Sequence, residues 1–477
     1  MRLGDLLVAA NLVSADQLDA ALALQMASGQ RLGDSLVASG ALTREALDDF
    51  LHRIPVEPNG LADTRIDDKL LLSLMIKLIF LGRLETLPQI AAAIKLPQHL
   101  VSELVTMAVS RRLLRALGER ERMMFYALND EGVRWAQEAL AQSQYAGPAP
   151  VALEDFAARI QLQRIDHVLV SYEQLHRAFA GLELSEAFAE RMGPALNAGR
   201  AMLLYGPPGN GKTSVARRLA QVFNDIIYVP HAVLVGGQIM RVSDPSVHIT
   251  PAPVVPAAPP PSAARTLFRT EQSDARWVPC PRPFVVTGGE LTLEMLDLQY
   301  NATANFYEAP LHVKALGGCL VIDDFGRQLV SPTHLLNRWI VPMESRVDYL
   351  KLHTGKSFAL PFEELLIFST NLEPEDLMDA AFLRRLPYKL EVAAPDRASW
   401  RRILASECER VGLALSDEIF DDLLHKLLEG KQMELAAYQP KFIVDQVVAA
   451  CRFRGLPPHF EPRFIEFALD NLRVHHS

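Results

Sequence analysis

Gly206, Gly211, Lys212 and Thr213 fall at the spacing G-x-x-x-x-G-K-[ST] in the stretch GPPGNGKTS, residues 206–214. Residues of these types at this spacing can bind phosphate. Glycines let backbone N–H groups curl round phosphate oxygens at a helix N-terminus, where the dipole favours negative charge. Pro207, Pro208, Gly209 and Asn210 complete the loop, and Ser214 opens the helix. Lys212 would reach β- and γ-phosphates, and Thr213 would bind Mg²⁺. The run LVIDDFGR follows, its first acid 111 residues after Lys212. There Asp323 is placed to hold Mg²⁺ through water and Asp324 to orient or deprotonate an attacking water; a helix cap would use the same pair. LLIFSTN ends in Asn371, an amide suited to positioning that water, or a turn residue. Arg384 and Arg385, at a helix end in DAAFLRRLPYK, could stabilise transition-state charge on a neighbouring subunit's γ-phosphate, or simply meet the helix dipole.

These groups need rigid elements beneath them. Met202 to Tyr205 reads as a buried strand, Ser214 to Phe223 as a helix and Leu320 to Ile322 as a second buried strand. Strands and helices alternate from about residue 160 to 395, the pattern of a three-layer α/β domain. Asp244 to Ala264, rich in Pro and Ala, interrupts it and is expected to be a mobile loop. Residues 396–477 read as helical, and Pro55–Thr64 and about 142–152 as linkers. The net charge of −9 argues against a dominant nonspecific nucleic-acid surface. Cys280, Cys319, Cys408 and Cys451 form no CxxC pair and read as thiols in a reducing compartment. The most apolar window, Leu70 to Gly82, is too short for a membrane span and contains Lys77. A cytoplasmic protein is expected.

The chain opens on a duplication. Arg2–Leu22 and Arg31–Leu51, offset by 29 residues, are identical at 10 of 21 positions. Each unit reads as helix, turn (Asn11 or Gly40), helix. Ser14 with Gln17 has capping-box form and Thr43 is an N-cap candidate. Leu6, Leu18, Leu22, Leu36, Leu47 and Leu51 would share a small core. That pattern suits a docking bundle; the recurring Arg-Leu-Gly also offers a guanidinium that could stack on a base or bind phosphate, beside a glycine that permits close approach.

The order phosphate loop, acidic strand, asparagine strand, arginine pair and helical lid resembles the AAA+ ATPases over roughly residues 160–477. The resemblance implies a P-loop α/β domain with an α-helical lid, ATP with Mg²⁺ as cofactor, and a ring, commonly a hexamer, with sites shared between subunits. This chain has Asp324 where many members have Glu, and Lys441 where the lid usually carries Arg. The tandem RLGxxL pattern resembles the MshEN domain of type II secretion and type IV pilus ATPases. It implies cyclic di-GMP as a regulatory ligand, with Arg2, Leu3, Gly4, Gln25, Arg31, Leu32, Gly33 and Asp34 as contacts. Asn11 replaces a usual Gly, and Ile54 stands where the second unit would carry Gln. Residues 65–140 resemble a winged helix, with Arg111, Arg112 and Arg115 near the end of its second helix. DNA phosphates could meet them, although a docking role suits the acidic chain better.

The expectation is therefore four units: a tandem-repeat sensor (1–57), a winged-helix-like unit (65–140), an AAA+ α/β domain (155–395) and a helical lid (396–477). The function implied is a remodelling ATPase regulated by cyclic di-GMP, acting on a protein client and linked to a pilus, secretion or signalling system. A DNA-binding regulator with ATP as an assembly switch, or a pure N-terminal docking module, are the alternatives.

Overall fold

Five short strands form one parallel sheet, in the order Tyr388–Glu391, Met202–Tyr205, Leu365–Ser369, Cys319–Ile322, Phe284–Thr287. The structure is a computed structural model that describes residues 3–120, 122–183, 185–252, 273–377, 380–430 and 433–472. Both faces of the sheet are covered, which is why these strands read as unbroken apolar runs. Side chains alternate between two cores. Met202, Leu204, Cys319, Val321, Leu365 and Ile367 face one side, with Met192, Leu196, Val215 and Leu219 from flanking helices. Leu203, Leu320, Ile322, Leu366 and Phe368 face the other, with Leu335, Leu336 and Trp339. The strand that ends in Asn371's turn lies between the strand feeding the phosphate loop and the strand feeding the acidic pair. Because all five run parallel, their C-terminal ends share one edge, where ligands bind in open α/β sheets.

After the phosphate-loop helix Lys212–Val222 the chain leaves this sheet. Ile226–Pro230 pairs antiparallel with Trp277–Pro281, and Ala232–Val235 with Gln238–Arg241. The latter hairpin sits in a second five-stranded sheet with Gln299–Asn301, Phe306–Glu308 and Val151–Ala152. The expected mobile loop is thus flanked by ordered strands, and its first residues are pinned. Asp244 pairs with Lys314 at 2.8 Å, and the buried His248 ring bonds the Lys314 carbonyl and the Asp244 amide. Residues 253–264 of that expectation lie outside the described residues.

Helices Asp68–Gly82, Leu87–Ile94 and Gln98–Ser110 precede a hairpin, Leu114–Arg120 with Met123–Leu128, and a closing helix, Asp130–Gln142. Thr86 makes a single bridge to Phe125 at the hairpin's edge. The two stretches read as linkers are packed. The core of residues 61–136 is continuous with Tyr145, Ala149, Ala152, Ala232 and Ile239 of the second sheet and its lead-in. Lys77, 4% exposed, donates to the carbonyls of Ser143 (2.9 Å) and Tyr145 (2.6 Å). The Asp274 amide bonds the Pro55 carbonyl at 2.9 Å. Composition alone suggested tethers, but tertiary burial overrides it.

The opening duplication forms helices Leu3–Ala9, Ala15–Ser28, Leu32–Ala38 and Arg44–Arg53. Ser14 and Gln17 make the reciprocal capping box, and Thr43 caps the Ala46 amide. Leu6, Leu18, Leu36 and Leu47 are buried, whereas Leu22 and Leu51 are half-buried. A Cβ on Gly4 would stand 2.7 Å from Leu18, and one on Gly33 2.8 Å from Leu47. The lid comprises Arg397–Val411, Asp417–His425, Gln439–Phe453 and Pro462–Leu472 around Trp400, Phe420, Ile443 and Leu469. All four cysteines are buried free thiols.

Burial pushes the Lys77 ammonium down to about 8, from an unfolded value of about 10.4. Between those values the unfolded chain binds more protons than the native one, so this group's contribution to stability rises with pH across that window. The melting temperature of the protein relative to a Lys77→Met variant should therefore increase from pH 8 to 10. A constant difference, followed by thermal denaturation, would show that Lys77 is not desolvated.

Candidate active site

Positive φ angles at Gly206 (133°), Gly209 (78°) and Gly211 (85°) shape the phosphate loop, and larger residues would be strained there. Close approach adds a second constraint. A Cβ on Gly206 would lie 2.6 Å from the Val392 carbonyl, and one on Gly209 2.4 Å from the Tyr438 ring. No side chain caps the helix that begins at Lys212, which leaves its first amides available to an anion. Pro207, Pro208 and Ser214 are exposed around it. Lys212, 6% exposed, folds back and donates to the carbonyls of Gly206 (2.8 Å) and Pro207 (2.9 Å). Burial lowers its pKa, and Asp324 and Asp323 oppose that shift.

The acidic strand delivers its carboxylates to the same edge. The Thr213 hydroxyl donates to Asp323 Oδ2 at 2.7 Å. Asp324 turns the chain in the left-handed region (φ 48°) and accepts from Asn371 Nδ2 at 3.2 Å. Lys212, Thr213, Asp323, Asp324 and Asn371 thus converge. Gln328, which sequence reasoning missed, braces the turn: its amide nitrogen donates to the carbonyls of Asp323 (2.9 Å) and Asp324 (3.2 Å) while its oxygen accepts from the Gly326 amide (2.8 Å). A hydroxyl beside a carboxylate is a hard oxygen pair of the kind that Mg²⁺ takes, with substrate phosphates and waters completing its shell. Among the described residues no cluster of three or more His, Cys, Asp or Glu could hold a metal by itself.

The lid touches the loop directly. The Tyr438 amide donates to the Gly209 carbonyl (3.0 Å) and the Ala437 amide to Asn210 Oδ1 (3.1 Å). Buried Asn210 leaves its Nδ2 without a partner. Tyr438 and Ala437 carry no motif that could have announced them. Lys441, on the helix Gln439–Phe453, is exposed.

Arg384 and Arg385 follow the short helix Ala380–Leu383 and do not join this site. They line a cleft of about 560 Å³ with Arg200, Glu344, Arg346 and Glu364. Its lining includes residues just before or at the starts of the strands Met202–Tyr205, Leu365–Ser369 and Tyr388–Glu391, the sheet edge opposite the phosphate loop. Arg385 Nε pairs with Glu344 Oε1 at 2.6 Å. Glu364 is 3% exposed, and neither carboxyl oxygen has a hydrogen-bond partner.

In the repeat, the glycine assignment needs correction. Gly4 and Gly33 are buried beneath Leu18 and Leu47, so the approach they permit is already filled by a leucine rather than open to a ligand. Asp34 is engaged by Arg44 at 2.6 Å. Arg31 is exposed, Leu3, Leu32 and Gln25 are half-buried, and Arg2 lies outside the described residues. Arg111 and Arg112 stand past the end of their helix in a turn and Arg115 on the hairpin, all exposed.

A family described as "Domain of unknown function (DUF8689)" matches residues 396–471. No curated protein matches the chain. Among solved structures, a mutant of RuvB from Thermotoga maritima is 12% identical, with 61% of this chain and 70% of that chain covered and a TM-score of 0.35. NtrX from Brucella abortus in complex with ADP is 13% identical, with 68% of this chain and 62% of that chain covered and a TM-score of 0.33. The fold is mixed α/β with a five-stranded parallel sheet. No helix among the described residues is long and apolar enough to cross a membrane.

Burial holds the Glu364 carboxyl well above the usual carboxylate range, with Asp348 and Glu363 adding to it. From about pH 4.3 upward the unfolded chain loses this proton while the native one keeps it, so stability falls with rising pH. Glu364→Gln should therefore melt higher than the parent at pH 8, with the gap closing toward pH 4. A gap independent of pH would mean that this carboxyl ionises in the native protein.

Proposed function

We propose that this chain is an AAA+ ATPase that hydrolyses ATP with Mg²⁺ and works as a ring. The observation that carries this reading is the contact of Thr213 with Asp323 at 2.7 Å, on the edge where Lys212, Asp324 and Asn371 also meet. Lys212 would exchange its two carbonyl partners for phosphate oxygens, a stronger charge-assisted bond. Thr213 and Asp323 would hold Mg²⁺. Asp324 would take the proton of the attacking water, its carboxylate oriented by Asn371. Arg384 or Arg385, at the opposite edge, would serve the pocket of a neighbouring subunit, which is the reason to expect a ring and, by the family's habit, a hexamer. The packing of residues 65–140 against the second sheet favours docking over DNA binding for that unit. The tandem repeat would sense cyclic di-GMP through exposed Arg31 and half-buried Leu3, Leu32 and Gln25, and the ring would remodel a protein client.

Lys212→Ala should weaken ATP binding by about 2–5 kcal/mol, the cost of truncating one partner of a buried charge pair. Asp324→Asn should bind ATP normally and turn over roughly 10²- to 10⁴-fold more slowly. Equilibrium binding and phosphate release measure the two; parental affinity in the first variant or parental turnover in the second rejects the assignment.

Cyclic di-GMP titrated into the full chain should bind and alter turnover, and Arg31→Ala should weaken that binding. Absence of binding at about 100 μM, a weak-affinity limit, leaves a docking module.

A further inference from the structure

Resting on the ring-ATPase reading, we propose that the two arginines have different tasks, and that Glu344 is a positioning residue for the shared site. Arg384 reaches the neighbour's phosphates. Arg385 is the anchor that fixes where Arg384 stands, and Glu344 is what it is anchored to.

The asymmetry is in the contacts. Arg385 is bound through Nε to Glu344 and is 28% exposed. Arg384 is exposed, and no ion pair holds it among the described residues. Adjacent on the chain, the two cannot move independently: a fixed Arg385 sets the direction in which Arg384 leaves the backbone. A free guanidinium beside a tethered one suits a group that must cross an interface, since breaking the Arg385 pair would cost a charge-assisted bond.

Glu344 lies one residue from the end of the helix Pro332–Ser345. That helix starts just beyond the acidic turn. Ser331 caps it, and Gln328, three residues earlier, grips the carbonyls of Asp323 and Asp324. At 14 residues it is about 21 Å long, enough to run from one edge of the sheet toward the other. Leu335 and Trp339 are fully buried along it, and Pro342 lies inside it two residues before Glu344. Its far end is tied down by Arg346, whose guanidinium donates to the Gly199 carbonyl at 2.8 Å and pairs with Glu363 at 3.3 Å. We take this helix as the route by which the acidic turn would influence Glu344, and through it Arg385 and Arg384. Each subunit's own site would set how well its arginine serves the next.

The test is phosphate release by the full chain, with ATP affinity measured in parallel. Arg384→Ala should lower kcat by on the order of 10³-fold or more with affinity little changed. Glu344→Gln and Arg385→Ala should each lower kcat by a smaller and similar factor. The Glu344→Gln, Arg385→Ala double variant should be no worse than either single one, and Glu344→Gln should add nothing in an Arg384→Ala background. Exchanging the charges, Glu344→Arg with Arg385→Glu, should recover turnover relative to either reversal alone, which also controls for folding. Mixing Glu344→Gln subunits with Lys212→Ala subunits should partly restore activity, because the intact pocket of one then meets the intact arginine of the other; a purely structural role of Glu344 would not be complemented. Parental kcat in Glu344→Gln, or Arg385→Ala as damaging as Arg384→Ala, would overturn the division of tasks. Absence of ATP turnover by the parent, or parental turnover in Lys212→Ala, would instead reject the ATPase reading beneath it.

Discussion

Thr213 and Asp323 follow strands that are not neighbours, Thr213 on the helix Lys212–Val222 and Asp323 in the turn after Cys319–Ile322, yet their side chains meet at 2.7 Å. Neighbouring strands stand about 4.7–4.9 Å apart, so strands two places apart are separated by about 10 Å, and the contact has to be made above the edge of the sheet. The intervening strand makes room by ending there. Its last residues are held on both sides: the Phe325 amide bonds the Ser369 carbonyl, and the Thr370 amide bonds the Leu204 carbonyl. Asn371 then emerges between the loop and the acids and meets Asp324. The left-handed Asp324 follows from the same constraint, because the acidic strand must stop and turn as soon as it has presented Asp323.

On the proposed ATPase reading, the edge so built would hold phosphate and a divalent cation, and would lack a group to stabilise the charge that develops in transfer. The cation at the phosphate loop is Lys212; Arg384 and Arg385 are at the other edge of the sheet. If the arginines act on the phosphate site as proposed, a chain that carries its loop and its arginines on opposite edges would unite them through a second copy. The lid contributes differently. With Tyr438 seated on Gly209 and Ala437 on Asn210, the helical C-terminal unit contacts the loop through its own backbone amides.

What could be read from the sequence was local. The phosphate loop is legible because positive φ at three positions and a following helix demand glycines at fixed spacing. Asp323 and Asn371 are legible because a polar residue closing an apolar run must emerge at a strand end. Gln328, Tyr438 and Glu344 were not, because each is defined by a partner elsewhere in the fold and has no periodic or spacing signature. The supposed linker at 142–152 shows the limit of composition: Pro and Gly marked it as loose, whereas Lys77 holds it from 66 residues away. Gly4 and Gly33 are the subtler case. A glycine in a helix start does signal close approach, but the signal does not say by what, and here Leu18 and Leu47 of the following helices occupy the space.

The duplication is not symmetric, and the difference has a physical explanation. Asn11 and Gly40 occupy equivalent turns, both left-handed, with φ of 54° and 72°. Glycine takes that conformation freely, whereas asparagine is merely one of the residues that tolerate it. At Asn11 the side chain returns something for the strain: its Nδ2 donates to the Asn224 carbonyl at 3.3 Å, just past the end of the phosphate-loop helix. Ala9 and Asn11 also line a cleft of about 370 Å³ with Arg217, Gln221 and Phe223 of that region. At the module's other end, Arg159 donates to the Arg53 carbonyl. A freely tethered repeat would have no use for an asparagine at this turn. A repeat seated against the helix whose first residue is Lys212 does, because the amide fixes one half of the duplication to the element that carries the phosphate loop, while the other half, with glycine at its turn, is held through Arg53 instead.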